Sequence, residues 1–299
     1  MTVCLLLSGG MSVSLLAQSP APEPGAEEPG GEFPVVQVEL LEKGDSSRNQ
    51  LKSALDALPL QHLNADHRKR VNEVLENRAL FRRLPTIGVE CAPEIYSHFT
   101  ANPESAVAIW RAMGISKFTL TPQNGNIWVG DAGDGSRGTI ELLLRTPETH
   151  LLLCDGEYRS PVLPNIIRAK ALMHLRTRPV VRENGERRVV HDLDLFVMFP
   201  QQTVETVAKV VSPVSHMIAD RNFRELSMFV RFMHVVMERQ PGWVERVVQK
   251  MDGVSFDQKE ELLQLSARVY VAARKAEARQ TEIAPAGLRT RGVSLEVPR

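Results

Sequence analysis

The chain of 299 residues predicts an α+β fold in which a curved antiparallel sheet of seven strands carries a long C-terminal helix across one face, with extra helices before and after. Three observations predict it. The apolar period is helical up to Gly114, becomes two from Ile115 to Phe199, and is helical again from Thr203. Six successive period-two runs are joined by short turn sequences, which implies antiparallel meander pairing. The runs alternate apolar with charged positions, so one sheet face is wet and the other needs a cover.

Taken in order, residues 1–19 read MTVCLLLSGGMSVSLLAQS, too short and interrupted to span a bilayer. The small-residue exit at Ala17-Gln18-Ser19 fits a secretory signal peptide without its positive flank; a mis-assigned start or an apolar tail is the alternative. Residues 20–46 are rich in Pro, Gly and Glu and are expected to be a disordered linker. Residues 47–84 form a helical segment: Ser47 to Leu58, with Leu51, Leu55 and Leu58 on one stripe, and Asn64 to Leu84, with Val71, Val74, Leu75 and Leu80. Pro59 and Pro85 close them.

The main domain spans 85–240. Thr86 to Cys91 is the first strand, and Pro93 opens a brief helix with Ile95, Tyr96 and Phe99. Asn102 is placed to cap the next helix, Pro103 to start it and Gly114 to end it. The six runs are Ile115 to Pro122, Asn126 to Asp131, Gly138 to Thr146, His150 to Ser160, Ile166 to Arg178 and Arg188 to Phe199. Asn184-Gly185 between the last two suits a two-residue hairpin turn. Alternation sends Arg168, Lys170, His174, Arg176, Asp192 and Asp194 outward, and Ala169, Ala171, Met173, Leu175, His191, Leu193, Leu195 and Val197 inward. Ile140, Leu142 and Leu144 share a face against Glu141 and Arg145.

From Thr203, an N-cap candidate, apolar residues keep helical spacing to about Gln240, interrupted by Pro213, which kinks or splits the run. Residues 241–279 form a helical extension, in which Ser255 and Gln258 have the spacing of a capping box. Residues 280–299 have no periodic apolar face and are expected to be disordered.

Lys and Arg number 36 against 36 Asp and Glu, so net charge supplies no attraction to nucleic acid or anionic membrane. Three cysteines are too few for a disulfide scaffold. The chain has no phosphate-binding glycine loop, nucleophile elbow or dinucleotide fingerprint. Asp131-Ala132-Gly133-Asp134-Gly135 lacks the ligand alternation of a calcium loop and reads as a solvated turn. Cys154 in its leucine run reads as an inert buried thiol, and His150, His174 and His191 do not converge as a zinc site. No metal or other cofactor is expected.

The text VECAPEIYSHFTANPESAVAIW, Val89 to Trp110, followed by six antiparallel strands and a long helix, resembles the helix-grip fold of the START-related and birch-pollen-allergen (SRPBCC) superfamily over about Pro85 to Gln240. The resemblance implies a cavity between sheet and long helix for a lipid or other hydrophobic small molecule. Its expected lining is Tyr158, His191, Leu142, Leu144, Met173, Leu175, Leu195, Val197, Met217 and Met233, with Tyr158 and His191 orienting the ligand. The expectation is a lipid-binding, exported or envelope-facing protein, with a cytoplasmic one as the alternative. Two rival functions stay open: a cyclase or hydratase using Tyr158 and His191 as acid and base, and a structural or protein-interaction module with a solid core.

Overall fold

The computed structural model describes residues 34–159, 166–183, 185–200 and 213–283. The protein is α+β, with a large open antiparallel sheet and several helices. The described strands are β1 Glu39–Glu42, β2 Leu80–Arg83, β3 Thr86–Val89, β4 Thr119–Pro122, β5 Ile127–Asp131, β6 Ser136–Arg145, β7 Thr149–Tyr158, β8 Ile167–Val181 and β9 Arg187–Met198. The helices are α1 Arg48–Asp56, α2 Ala65–Glu76, α3 Pro93–Ala101, α4 Pro103–Ala112, α5 Pro213–Arg239, α6 Pro241–Lys250 and α7 Phe256–Ile283. Neighbours in the sheet run β1-β3-β9-β8-β7-β6-β5-β4, and β2 also pairs with β9.

That makes nine strands where seven were expected, and both additions come from the N-terminal side. Leu80 to Arg83 face Val197 to Asp194, and Ile87 to Val89 face His191 to Val189, so β2 and β3 lie end to end along β9. Leu84 still donates its N–H to Leu193 O at 2.8 Å, but Pro85 has no N–H, and the ladder lapses there. The second helix therefore stops at Glu76, not at residue 84, and Leu80 belongs to a strand. The stretch 20–46 was expected to be all linker, yet Glu39–Glu42 pairs with β3 at the sheet edge. Glu39 is held there by Arg182 and Arg188.

Both faces of the sheet are covered. On the inner face, Ile140, Leu142, Ala169, Ala171, Met173, Leu195 and Val197 join Phe223, Phe229, Met233 and Met237 of α5 in the main core. The outer face, expected to be wet, carries a second core: Leu151, Leu153, Leu172, Phe196 and Met198 pack under Ala54 of α1 and Val71, Val74 and Leu75 of α2. Each such apolar side chain taken fully from water contributes about 1.5–3 kcal/mol. This explains Leu172, which broke the polar alternation: it faces the N-terminal helices and not solvent.

The described part of the long helix starts at Pro213 and is continuous to Arg239; Thr203 and the apolar positions up to 212 lie outside the described residues. α5 is buried on several sides because α6 and α7 also pack against it, through Trp243, Val244, Leu262 and Leu265, within the same core. The capping box of α7 forms as spaced, with Ser255 N–H donating to Gln258 Oε1 (2.9 Å) and Gln258 N–H to Ser255 Oγ (3.2 Å). Asn102 does not cap α4; its side chain donates to His98 O at the end of α3. No described helix is long and apolar enough to cross a membrane.

Candidate functional site

Strand register sets the inner face in rows. Ser136, Tyr158 and Ile167 are cross-strand neighbours, and the next row is Gly130, Gly138, Gly156 and Ala169. Beyond it come Trp128, Ile140, Cys154, Ala171 and Val197, then Leu142, Leu152, Met173 and Leu195. The second row is a strip with almost no side chain across four strands. Phe118 fills one end of it: a Cβ on Gly130 would stand 3.0 Å from its ring. At Gly138 the next strand comes too close for any side chain, since a Cβ would meet Asp155 O at 2.5 Å. Gly156 is buried, yet among the described residues only the Arg137 carbonyl oxygen, at 3.5 Å, lies within reach of an added Cβ.

At the other end of this face stands a buried polar chain. Tyr96 of α3 meets His191 Nδ1 at 2.7 Å, and His191 Nε2 meets Ser227 Oγ of α5 at 2.9 Å. Ser227 gives its one proton to Phe223 O at 2.8 Å, so Oγ accepts from Nε2–H, and Nδ1 accepts the Tyr96 hydroxyl. Burial pushes the His191 imidazole down to about 4 and the Tyr96 phenol well above its ordinary value, which keeps both neutral. Ring contacts with Tyr96 and Phe223 hold the imidazole in place. A serine beside a histidine is also the spacing of a nucleophile and its base. Here the serine is fully buried and its proton is committed to the backbone, so the chain works as a strut that fixes α5 over β9. Arg82 to Asp220 and Arg231 to Glu90 are two further ties between α5 and this side of the sheet.

Other titratable groups are spread. His150 and His174 are also pushed down to about 4, both chiefly by burial and then by Arg145 and Arg176 respectively. Burial pushes the Cys91 thiol up to about 12. Glu104, buried in the first turn of α4, accepts from Trp128 Nε1 at 2.8 Å and from Gln258, joining α4 to β5 and α7. Among the described residues no group of three or more His, Cys, Asp or Glu is placed to hold a metal ion.

Of the residues expected to line a cavity, Leu142, Met173, Leu195, Val197 and Met233 are buried together on the inner face, and Leu175 packs against them. Leu144 does not join them. A bulge between Leu142 and Leu144 inserts one residue into β6, so Leu144 packs with the outer core. Met217 is 68% exposed and lines nothing on the inner face. Tyr158 is half-buried opposite Ile167, while His191 is opposite Thr177, ten residues further along β8. At strand rise that is about 33 Å along the strand, so the two cannot serve one small substrate as acid and base.

The strut partners Tyr96 and Ser227 were not singled out by the sequence. Phe223 and Ser227, four apart on a helix, were the available signal, but serine on an apolar stripe reads as a tolerated packing residue. Ser136 was missed as well, because it falls at the end of a turn. The chain matches no protein-family model and no curated protein sequence.

Proposed function

We propose that this chain binds a lipid or other apolar small molecule on the inner face of the sheet, beneath α5, in a helix-grip arrangement of strands β3 to β9, as part of an exported or envelope-facing protein. One observation carries the reading: the strip Gly130, Gly138, Gly156 and Ala169, next to Cys154 and Ala171, leaves the middle of a covered face without bulky side chains. Glycines and alanines side by side on a buried face either let backbone approach closely or leave room. Gly138 does the first; the surroundings of Gly156 favour the second. The sheet order supports the arrangement, since β3 lies beside β9 and the strands then run back in sequence to β4. The separation of Tyr158 from His191 weighs against the acid–base enzyme reading.

The test is native mass spectrometry of the purified protein with extraction of any co-purifying apolar compound, set beside an Ala171→Leu variant. A defined apolar molecule on the wild type, lost from a variant of unchanged stability, is the expected result. A ligand-free wild type that takes up no fluorescent fatty acid, with a variant destabilised by overpacking by about 1–3 kcal/mol, sinks the proposal in favour of a solid-cored structural module.

A further inference from the structure

Resting on that reading, we infer that the site takes an uncharged amphipathic molecule, one with a long apolar body and a single hydrogen-bonding oxygen, and that Ser136 anchors this oxygen. Ser136 is 1% exposed, and its hydroxyl has no hydrogen-bond partner among the described residues. Its register places it on the inner face, one row beyond the glycine strip and directly across from Tyr158. Both serine and tyrosine hydroxyls donate and accept, so either an alcohol or a carbonyl oxygen satisfies them. A buried hydroxyl without a partner is rare in folded proteins, and an arriving oxygen removes that defect.

The anchor is held rigidly. Ser136 N–H donates to Asp134 Oδ1 at 2.9 Å, and its carbonyl accepts from Ala132 N–H at 2.9 Å. Gly133 N–H donates to Asp131 Oδ1 at 2.8 Å in the same turn. Gly135, at a φ of +93°, sits against Arg159, where a Cβ would stand 2.5 Å from the carbonyl oxygen. The Asp131–Gly135 turn thus positions the serine in the row beside the strip.

Charge decides the class of head group. The four inner-face rows from Ser136 to Leu142 contain no ionisable carboxylate, lysine or arginine among the described residues of β5 to β9. Arg137 and Arg168 alternate to the outer face, where both pair with Glu157; Arg159 acts on Glu157 too. A carboxylate entering the strip loses its hydration and meets no cation from these described strand rows, whereas an alcohol loses little and regains a hydrogen bond at Ser136.

The experiment is displacement of Nile red from the full chain, stripped of apolar compounds, by hexadecanol, hexadecanoate and hexadecane, for the wild type and for Ser136→Ala and Tyr158→Phe. Hexadecanol is expected to bind most tightly, with its affinity reduced about fivefold in Ser136→Ala while hexadecane is unaffected, which also shows the variant folded. Tyr158→Phe acts in the same direction by a smaller factor. If hexadecanoate matches hexadecanol, or Ser136→Ala leaves hexadecanol binding unchanged, the anchor and the uncharged class are overturned while the apolar site stands. If Nile red is not taken up at all, the apolar site falls and this inference falls with it.

Discussion

His191 on the inner face and His174 on the outer face are buried alike, 5% and 2% exposed, and burial pushes both down to about 4. Their surroundings are opposite. Both ring nitrogens of His191 are hydrogen-bonded, to Tyr96 and Ser227; neither nitrogen of His174 has a partner among the described residues. The same contrast runs through the two faces. The inner face is nearly free of charge in its strand rows, and His191 there reaches the helices that cover it, through Tyr96 and Ser227. The outer face keeps its charges and buries one cluster of them: Asp194, with no exposure, accepts from Arg83 at 2.6 and 2.7 Å and pairs with Arg176 at 3.0 Å, which also holds Asp192. Polar alternation in a strand therefore marks two sides, and only the packing of remote segments tells which side is wet.

The largest effect expected from breaking this contrast is at Asp194. Asp194→Ala leaves the Arg83 and Arg176 guanidinium groups beneath the N-terminal helices without their shared carboxylate, and is expected to cost about 3–5 kcal/mol in urea unfolding. Hydrogen exchange in α1 and α2 should rise more than in α5. Equal acceleration in all three helices would show that the outer cluster does not specifically hold the N-terminal cover.

Next in size is the inner strut. Tyr96→Phe leaves His191 Nδ1 buried without a donor, and Ser227→Ala leaves Nε2–H without an acceptor; each is expected to lose about 1–3 kcal/mol. Adding His191→Leu to Tyr96→Phe removes both ends of one hydrogen bond, so the pair should cost less than the sum of the single changes. Additive losses would mean that the three residues pack without acting as a chain.

The smallest effect has the opposite sign. His174→Leu removes two unpartnered nitrogens and should stabilise the protein by about 1 kcal/mol near neutral pH. It should also change the response to acid. Because the folded value of His174, about 4, lies below its ordinary 6.5, the group leaves stability unchanged above pH 6.5. As pH falls from there, the unfolded chain binds a proton that the folded one refuses, and stability is lost until pH passes about 4. In His174→Leu the fall of the urea midpoint across that window should be shallower. An unchanged slope would show that His174 is neutralised some other way.

Much of the fold was legible because its signals are local. Period-two runs bounded by turn residues located β4 to β9 within a few residues, and the Ser255 and Gln258 spacing located the start of α7. Apart from the Asn102 cap, the misses involve contacts made at a distance. Leu80 fits a helical stripe and a strand equally well, and β9 decides in favour of the strand. Leu144 keeps the parity of Leu142 in the sequence, and one bulged residue sends it to the other face. Met217 has helical spacing, yet it is 68% exposed on α5. In the candidate site, apolar lining residues were readable from alternation, while Ser136, Tyr96 and Ser227 were not, because a hydroxyl's role depends on what folds against it.

By itself the sequence determined the order of elements from β3 onward, the turns between them and the two-sidedness of each of those strands, since steric and hydrophobic periodicity act within a few residues. Tertiary structure alone decided which face is roofed by α5 and which by α1 and α2, where the buried charges find partners, and which buried hydroxyls, Ser136 among them, stay unpartnered among the described residues. Those outcomes depend on segments more than a hundred residues apart coming into contact, as Arg83 does with Asp194 and Tyr96 with Ser227 through His191, and no local pattern encodes that meeting.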